Sequence, residues 1–158
     1  MKARGVFFLT VFFVFLIHHS LSAETSGDWT YTVSDNQATI TGYSGDGGAV
    51  EIPAEVDGVS VVKVGDEAFK NNTSVTSVTI PDSVTSIGNY AFESCTSLIS
   101  VTILDGVTTI GGSAFGYCIN LTSITIPESV TNIGAYAFES CTSLNNVTIG
   151  NSVETIGQ

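Results

Sequence analysis

From residue 24 onward the chain has no histidine, no arginine and no methionine. Only Lys63 and Lys70 stand there against all 15 acidic residues, a net charge of −13. The other basic residues, Lys2 and Arg4, and both histidines, His18 and His19, lie near the N-terminus. These absences exclude whole classes of function. Without imidazole there is no histidine base and no histidine metal ligand. Without guanidinium there is no bidentate clamp for phosphate. Without a basic stripe there is no counterion release on nucleic acid. Cys95, Cys118 and Cys141 number only three and lie 23 residues apart. They match neither a fully paired disulfide framework nor the short Cys-x-x-Cys spacing of a zinc site. The catalytic vocabulary that remains is carboxylate, hydroxyl and thiol. No arrangement of these gives a hydroxyl its activating base, and the expectation is a non-enzymatic protein without cofactor or metal.

Residues 1–23 read as a secretory signal peptide. Lys2 and Arg4 form a positive start, and Gly5 to Ile17 is a 13-residue, nearly unbroken apolar run. Ser20-Leu21-Ser22-Ala23 then supplies small residues for cleavage after Ala23. A membrane anchor is the weaker reading, since a spanning helix needs about 20 apolar residues. The expectation is an exported chain, secreted or at the cell surface, with no membrane insertion after cleavage.

What is present in abundance is a 23-residue period. Ile80, Ile103, Ile126 and Ile149 keep it, as do Phe69, Phe92, Phe115 and Phe138, each preceded by alanine. Gly65, Gly88, Gly111, Gly134 and Gly157 keep it too. A fixed period of this length marks a solenoid. Leu98-x-x-Val101-x-Ile103 fits the strand signature of a leucine-rich repeat, with Val101 and Ile103 inward and Thr102 outward. The phenylalanines are expected to fill the coil interior. The glycines suit either a positive φ or a close approach of backbones. The cysteines fall at an inward polar position, filled by Asn72 in the first unit. They are read as buried free thiols that satisfy backbone groups, with a disulfide between adjacent coils as the minor alternative.

The pattern I-P-x-S-V-T-x-I-G-x-x-A-F-x-x-C-x-x-L-x-x-V-T-I, running from Ile80 to Ile103 and again from Ile126 to Ile149, resembles the BspA-like leucine-rich-repeat family. The resemblance covers residues 49–158. It implies a right-handed leucine-rich-repeat solenoid of the α/β horseshoe class, strand-rich, with short parallel strands and an irregular or partly 3₁₀ convex side. It also implies secreted or surface proteins of bacteria and some protists, several of which bind host or matrix proteins, with no shared catalytic motif. Three departures stand out. The first unit, Ile52 to Ile80, carries five extra residues around Asp57-Gly58-Val59-Ser60-Val61. Leu104 and Gly150 replace the proline after the strand. Finally, the period stops at Gln158, where Ala-Phe would come next, which predicts a truncated last repeat and the remainder of a longer chain beyond it.

Residues 24–48 are expected to form a β-hairpin cap and a flexible connector. Trp29, Tyr31 and Val33 face one way on the first strand, Ala38, Ile40 and Gly42 on the second, and Ser34 to Gln37 make the turn. The alternative use of Trp29, Tyr31 and Tyr43 is an aromatic ligand patch. Two acidic rows recur, Asp82, Asp105 and Glu128, and Glu93 and Glu139. They are read as solvated edges rather than as a glycosidase pair or a calcium site. The candidate partner-binding face is the outward side of the repeat strands: Ser77 and Thr79, Ser100 and Thr102, Ser123 and Thr125, Asn146 and Thr148. The functional expectation is an adhesion or interaction module for an extracellular protein or glycan. The alternatives are a neutral spacer, or the non-catalytic repeat region of a larger secreted enzyme.

Overall fold

The structure, a computed structural model, describes residues 22–158. The segment read as a signal peptide, residues 1–23, lies outside the described residues except for Ser22 and Ala23.

Three antiparallel strands come first: β1 (Glu24–Ser26), β2 (Trp29–Ser34) and β3 (Gln37–Tyr43). Next come β4 (Gly48–Glu51) and a hairpin of β5 (Glu55–Val56) and β6 (Val59–Val64). Each later coil then adds one longer and one two-residue strand. These pairs are β7 (Val75–Ile80) and β8 (Ser86–Ile87), β9 (Ser100–Ile103) and β10 (Thr109–Ile110), β11 (Ser123–Ile126) and β12 (Asn132–Ile133), β13 (Asn146–Ile149) and β14 (Thr155–Ile156). The longer strands stack in parallel in the order β13-β11-β9-β7-β4. A second sheet runs β1-β2-β3-β6-β8-β10-β12-β14, parallel from β3 onward. The result is a strand-rich solenoid of about five turns, with no helix among the described residues. The convex side, expected to be irregular or partly 3₁₀, is instead this second narrow sheet followed by consecutive turns.

Alternation explains the core. Val78 and Ile80, Val101 and Ile103, Ile124 and Ile126 point inward from the longer strands and are buried. Ile87, Ile110 and Ile133 do the same from the short ones. Between the sheets the phenylalanines stack coil on coil. Ring centroids lie 4.8 Å apart from Phe69 to Phe92, 5.2 Å from Phe92 to Phe115 and 5.5 Å from Phe115 to Phe138, the last two pairs nearly coplanar in tilt. That spacing is the strand repeat of a sheet, ~4.8 Å, imposed on the rings by the backbone.

The repeat glycines answer to close approach. A Cβ on Gly111 would stand 2.6 Å from Asn89 N, and the glycine itself is not left-handed. The left-handed positions fall on other residues of the turn: Glu67 and Asn71, Tyr90 and Ser94, Ser113 and Tyr117, Tyr136 and Ser140. Their conformation serves an alternation of hydrogen bonds. The N–H groups of Glu67, Phe69 and Asn71 donate to Asn89, Ala91 and Glu93 O in the next coil, at 3.0, 2.7 and 2.8 Å. Those between them, Ala68, Lys70 and Asn72, donate back within the turn to Gly65, Glu67 and Phe69 O. Every donor is thereby satisfied in a segment that is neither helix nor strand, as buried backbone requires.

At the N-terminal end the hairpin closes the first coil. Asp35 and Asn36, both left-handed, make a two-residue turn. A register shift pairs Trp29 with Tyr43 but Tyr31 with Ile40. The extra residue on β3 puts Tyr43, rather than the expected Gly42, on the face with Ile40. Tyr43 stacks on Phe69 at 5.5 Å and Trp29 meets both rings, at 4.9 and 6.2 Å, so the aromatics form a cap rather than an open patch. Tyr31 is buried. Its hydroxyl donates to Asp57 Oδ2 at 2.7 Å, and Ser26 Oγ donates to Asp57 Oδ1 at 2.8 Å. The five extra residues are thus the β5–β6 hairpin, whose left-handed Asp57-Gly58 turn ties cap to first coil. The connector is held at both ends: Ser44 N donates to Asp28 O and Gly48 N to Ser74 O, each at 2.9 Å.

Candidate functional site: the strand face and its relatives

The longer strands place the candidate residues in register. Ser77, Ser100, Ser123 and Asn146 pair in one row, and β7 with β9 and β11 with β13 align Thr79 with Thr102 and Thr125 with Thr148. Ser100, Thr102, Thr125, Asn146 and Thr148 are exposed, and Ser77, Thr79 and Ser123 half-exposed. The structure therefore brings the eight residues onto one surface, as strand periodicity requires.

Several hydroxyls elsewhere on the coil tie one turn to the next, although others, such as Thr76, Ser86 and Thr109, do not. Thr85 donates to Val62 O, Thr108 to Thr85 O and Thr131 to Thr108 O, at 3.1, 3.1 and 3.3 Å. Ser97, Thr122 and Ser129 act likewise. Among the described residues, none of the eight face side chains is committed to such a bond. Thr125 and Thr148 also line a shallow hollow of about 390 Å³ with Leu104, Asp105 and Glu128. Glu128 accepts from Asn151 N at 2.8 Å, which employs this one member of the acidic row in joining coils.

The cysteines lie on the opposite, interior side. Cys95, Cys118 and Cys141 are free, and each Sγ donates at 3.1 Å to a carbonyl, of Phe69, Phe92 and Phe115 respectively. Burial pushes the Cys95 thiol up to about 12 and raises Cys118 and Cys141 as well. Such thiols are poor nucleophiles. Asn72, in the same position, accepts from Ser74 N and Val75 N at 3.0 Å each. Among the described residues no three cysteines or carboxylates converge on a point that could hold a metal ion. What sequence reasoning overlooked is the turn side, where Tyr90, Tyr117 and Tyr136 are exposed and left-handed. Their signal was faint, because each tyrosine fills only some coils of its column.

Comparison with known proteins decides the lineage of this geometry. A profile of the BspA type leucine rich repeat region matches residues 62–158 in six copies. The chain belongs to the BspA-type leucine-rich repeat family. Among solved structures, BspA-type coils of this chain are similar to the T. pallidum leucine rich repeat protein, at 37% identity and a TM-score of 0.81 over 87% of this chain. A leucine rich cell surface protein from Faecalibacterium prausnitzii matches at 39% identity and a TM-score of 0.67 over 85%. A leucine-rich repeat protein from Bacteroides capillosus matches at 31% and 0.71 over 81% of this chain and 98% of its own. The chain spans 65% of the T. pallidum protein and 44% of the F. prausnitzii protein. A comparison with curated protein sequences gave no match.

Proposed function

We propose that this BspA-type chain is an exported interaction module at the cell surface. It binds an extracellular protein or glycan partner through the outward face of β7, β9, β11 and β13. The observation that carries this reading is the division of hydroxyls described above. Thr85, Thr108, Thr131, Ser97, Thr122 and Ser129 are spent on joining turns, whereas the rows from Ser77 to Asn146 and from Thr79 to Thr148 form two continuous lines of uncommitted side chains available to a partner. A cell-surface relative among the similar structures supports the location. The face offers neither arginine nor aromatic anchors, so a single contact is weak and binding gains from repetition along the solenoid. The test is a double substitution, Thr102→Lys with Thr125→Lys, in the chain from residue 24. The expected result is loss of capture by immobilised matrix proteins or glycans with an unchanged circular dichroism spectrum. Undiminished capture by the folded double variant would remove the strand face from consideration and leave the spacer reading.

A further inference from the structure

The turn side repeats one local frame in two places with different side chains. In the first, Lys70 lies against the next coil. Its Nζ sits 4.9 Å from the centre of the Tyr90 ring, 3.0 Å from Glu93 Oε2 and 3.1 Å from Glu67 Oε1. Two coils further on the backbone is the same. Ser113, Phe115 and Tyr117 N donate to Ala135, Ala137 and Glu139 O at 2.8, 2.8 and 2.7 Å, matching the bonds of Glu67, Phe69 and Asn71. Tyr136 has φ 58° where Tyr90 has 57°. In this second frame Tyr136 and Glu139 stand where Tyr90 and Glu93 stand, but Gly116 replaces Lys70 and Tyr117 replaces Asn71.

A tyrosine face and a carboxylate at this separation attract an ammonium group: the ring contributes its quadrupole, the carboxylate its charge. Lys70 is the demonstration within this molecule. Its ammonium is held in the charged form, chiefly by Glu93 and then Glu67. The second frame keeps the ring and the nearer carboxylate of this set, has Ser113 in place of Glu67, and has no lysine of its own. Tyr136 is exposed, as Tyr90 is, and Tyr117 adds a second exposed ring beside Gly116. A tyrosine in the left-handed region costs local strain that asparagine or glycine would lower. The remaining lysine of the described chain, Lys63, is 3.6 Å from Asp66 on the first coil. Among the described residues no other cation is placed at the second frame, and the strongly acidic chain favours a basic partner.

We propose that Tyr136, Glu139 and Tyr117, opened by Gly116, form a recognition seat for a lysine side chain of a partner protein, on a surface separate from the strand face. The experiment is a nuclear magnetic resonance titration of the chain from residue 24 with the blocked tripeptide Gly-Lys-Gly. The same peptide with its lysine Nε-acetylated serves as the uncharged control. Saturable shifts at Gly116, Tyr117, Tyr136 and Glu139 are expected, weakened about tenfold or more by acetylation. Gly116→Lys should abolish them by supplying an internal ammonium, as Lys70 does. Gly116 is not left-handed, but a Cβ there meets Ser113 O at 3.3 Å, so the backbone of that turn must yield by a few tenths of an ångström to take the lysine. Tyr136→Ser, which copies Ser113 of the intervening coil, should abolish them too, and it keeps the test decisive if the first variant folds poorly. Equal shifts along Asp82, Asp105 and Glu128, or shifts that survive both substitutions, would overturn the proposal. The strand-face variant Thr102→Lys with Thr125→Lys should titrate like the parent, which separates the two surfaces.

Discussion

The two ends of the solenoid bury the same column of rings by different means. At the first coil, Phe69 is covered by Tyr43 and Trp29 from the hairpin and is itself buried. At the last coil, Phe138 is half-buried, and Val147, Ile149 and Ile156, at positions that are interior in earlier coils, are 46%, 47% and 60% exposed. A coil buries its apolar edge only against a neighbour or a cap. Within residues 22–158, similar sequence units thus differ in burial according to what lies against them. The gradient along the stack is a property of position rather than composition.

The largest way to probe this contrast is to remove one ring from the middle and one from the exposed end. Phe92→Ala should cost about 3–5 kcal/mol, since the ring is fully buried between two others. Phe138→Ala, with a neighbour on one side, should cost less than half of that. Urea midpoints of the two variants check the difference, and equal losses would contradict the gradient. A second substitution attacks the cap directly. Trp29→Ala should destabilise by about 1–2 kcal/mol, because the indole is half-buried on Tyr43 and Phe69. An unchanged melting temperature would show that the hairpin does not cover the first coil.

The thiols report the gradient without altering it. Under native conditions a maleimide should modify Cys141, which is half-buried, roughly tenfold or more faster than Cys95 or Cys118. Mass spectrometry of the partly labelled chain reads the order. The smallest effect concerns pH at the capped end. Asp57 is held below the ordinary carboxylate range by the Tyr31 hydroxyl and then by Ser26. Its contribution is therefore present above about pH 4 and fades as pH falls through the lowered value. The hydrogen bond to Asp57, followed by burial, raises Tyr31, so that contribution holds below about pH 10 and is lost above it. Asp57→Asn should lower stability slightly at neutral pH, leave it nearly unchanged in acid, and so flatten the acid slope of a urea-midpoint series.

Much of this architecture can be read from the 23-residue period. The inward positions of the longer strands, the phenylalanine column and the inward cysteines all follow from it. The second sheet was hidden because Thr109-Ile110 and its equivalents are too short to display any alternation. Tyr43 was misplaced by one position because the pairing shift between Thr30 and Tyr31 leaves no mark in composition. The Asp57-Gly58 hairpin looked like an insertion, although Asp-Gly between apolar residues is itself a turn signal. The left-handed residues escaped notice because glycine was the expected carrier. Here alternate N–H bonding within and between coils holds Tyr90 and Ser94 in that conformation instead. Of the strand face, the rows were legible, but the freedom of their hydroxyls was not, since Thr102 and Thr108 look alike until their neighbours are placed.

The alternate bonding of the turn has a consequence for heredity. Each coil presents to its predecessor the same acceptors that it satisfies on the next coil, as the Phe69 N–H bond to Ala91 O and the Phe92 N–H bond to Ala114 O both show, at 2.7 Å. A recombination event that duplicates or deletes one 23-residue unit therefore produces a junction identical to those already present. Gene length can drift in whole coils without any compensating mutation. The first unit is exempt, because the Asp57 hairpin and its bond to Tyr31 have no counterpart elsewhere in the array.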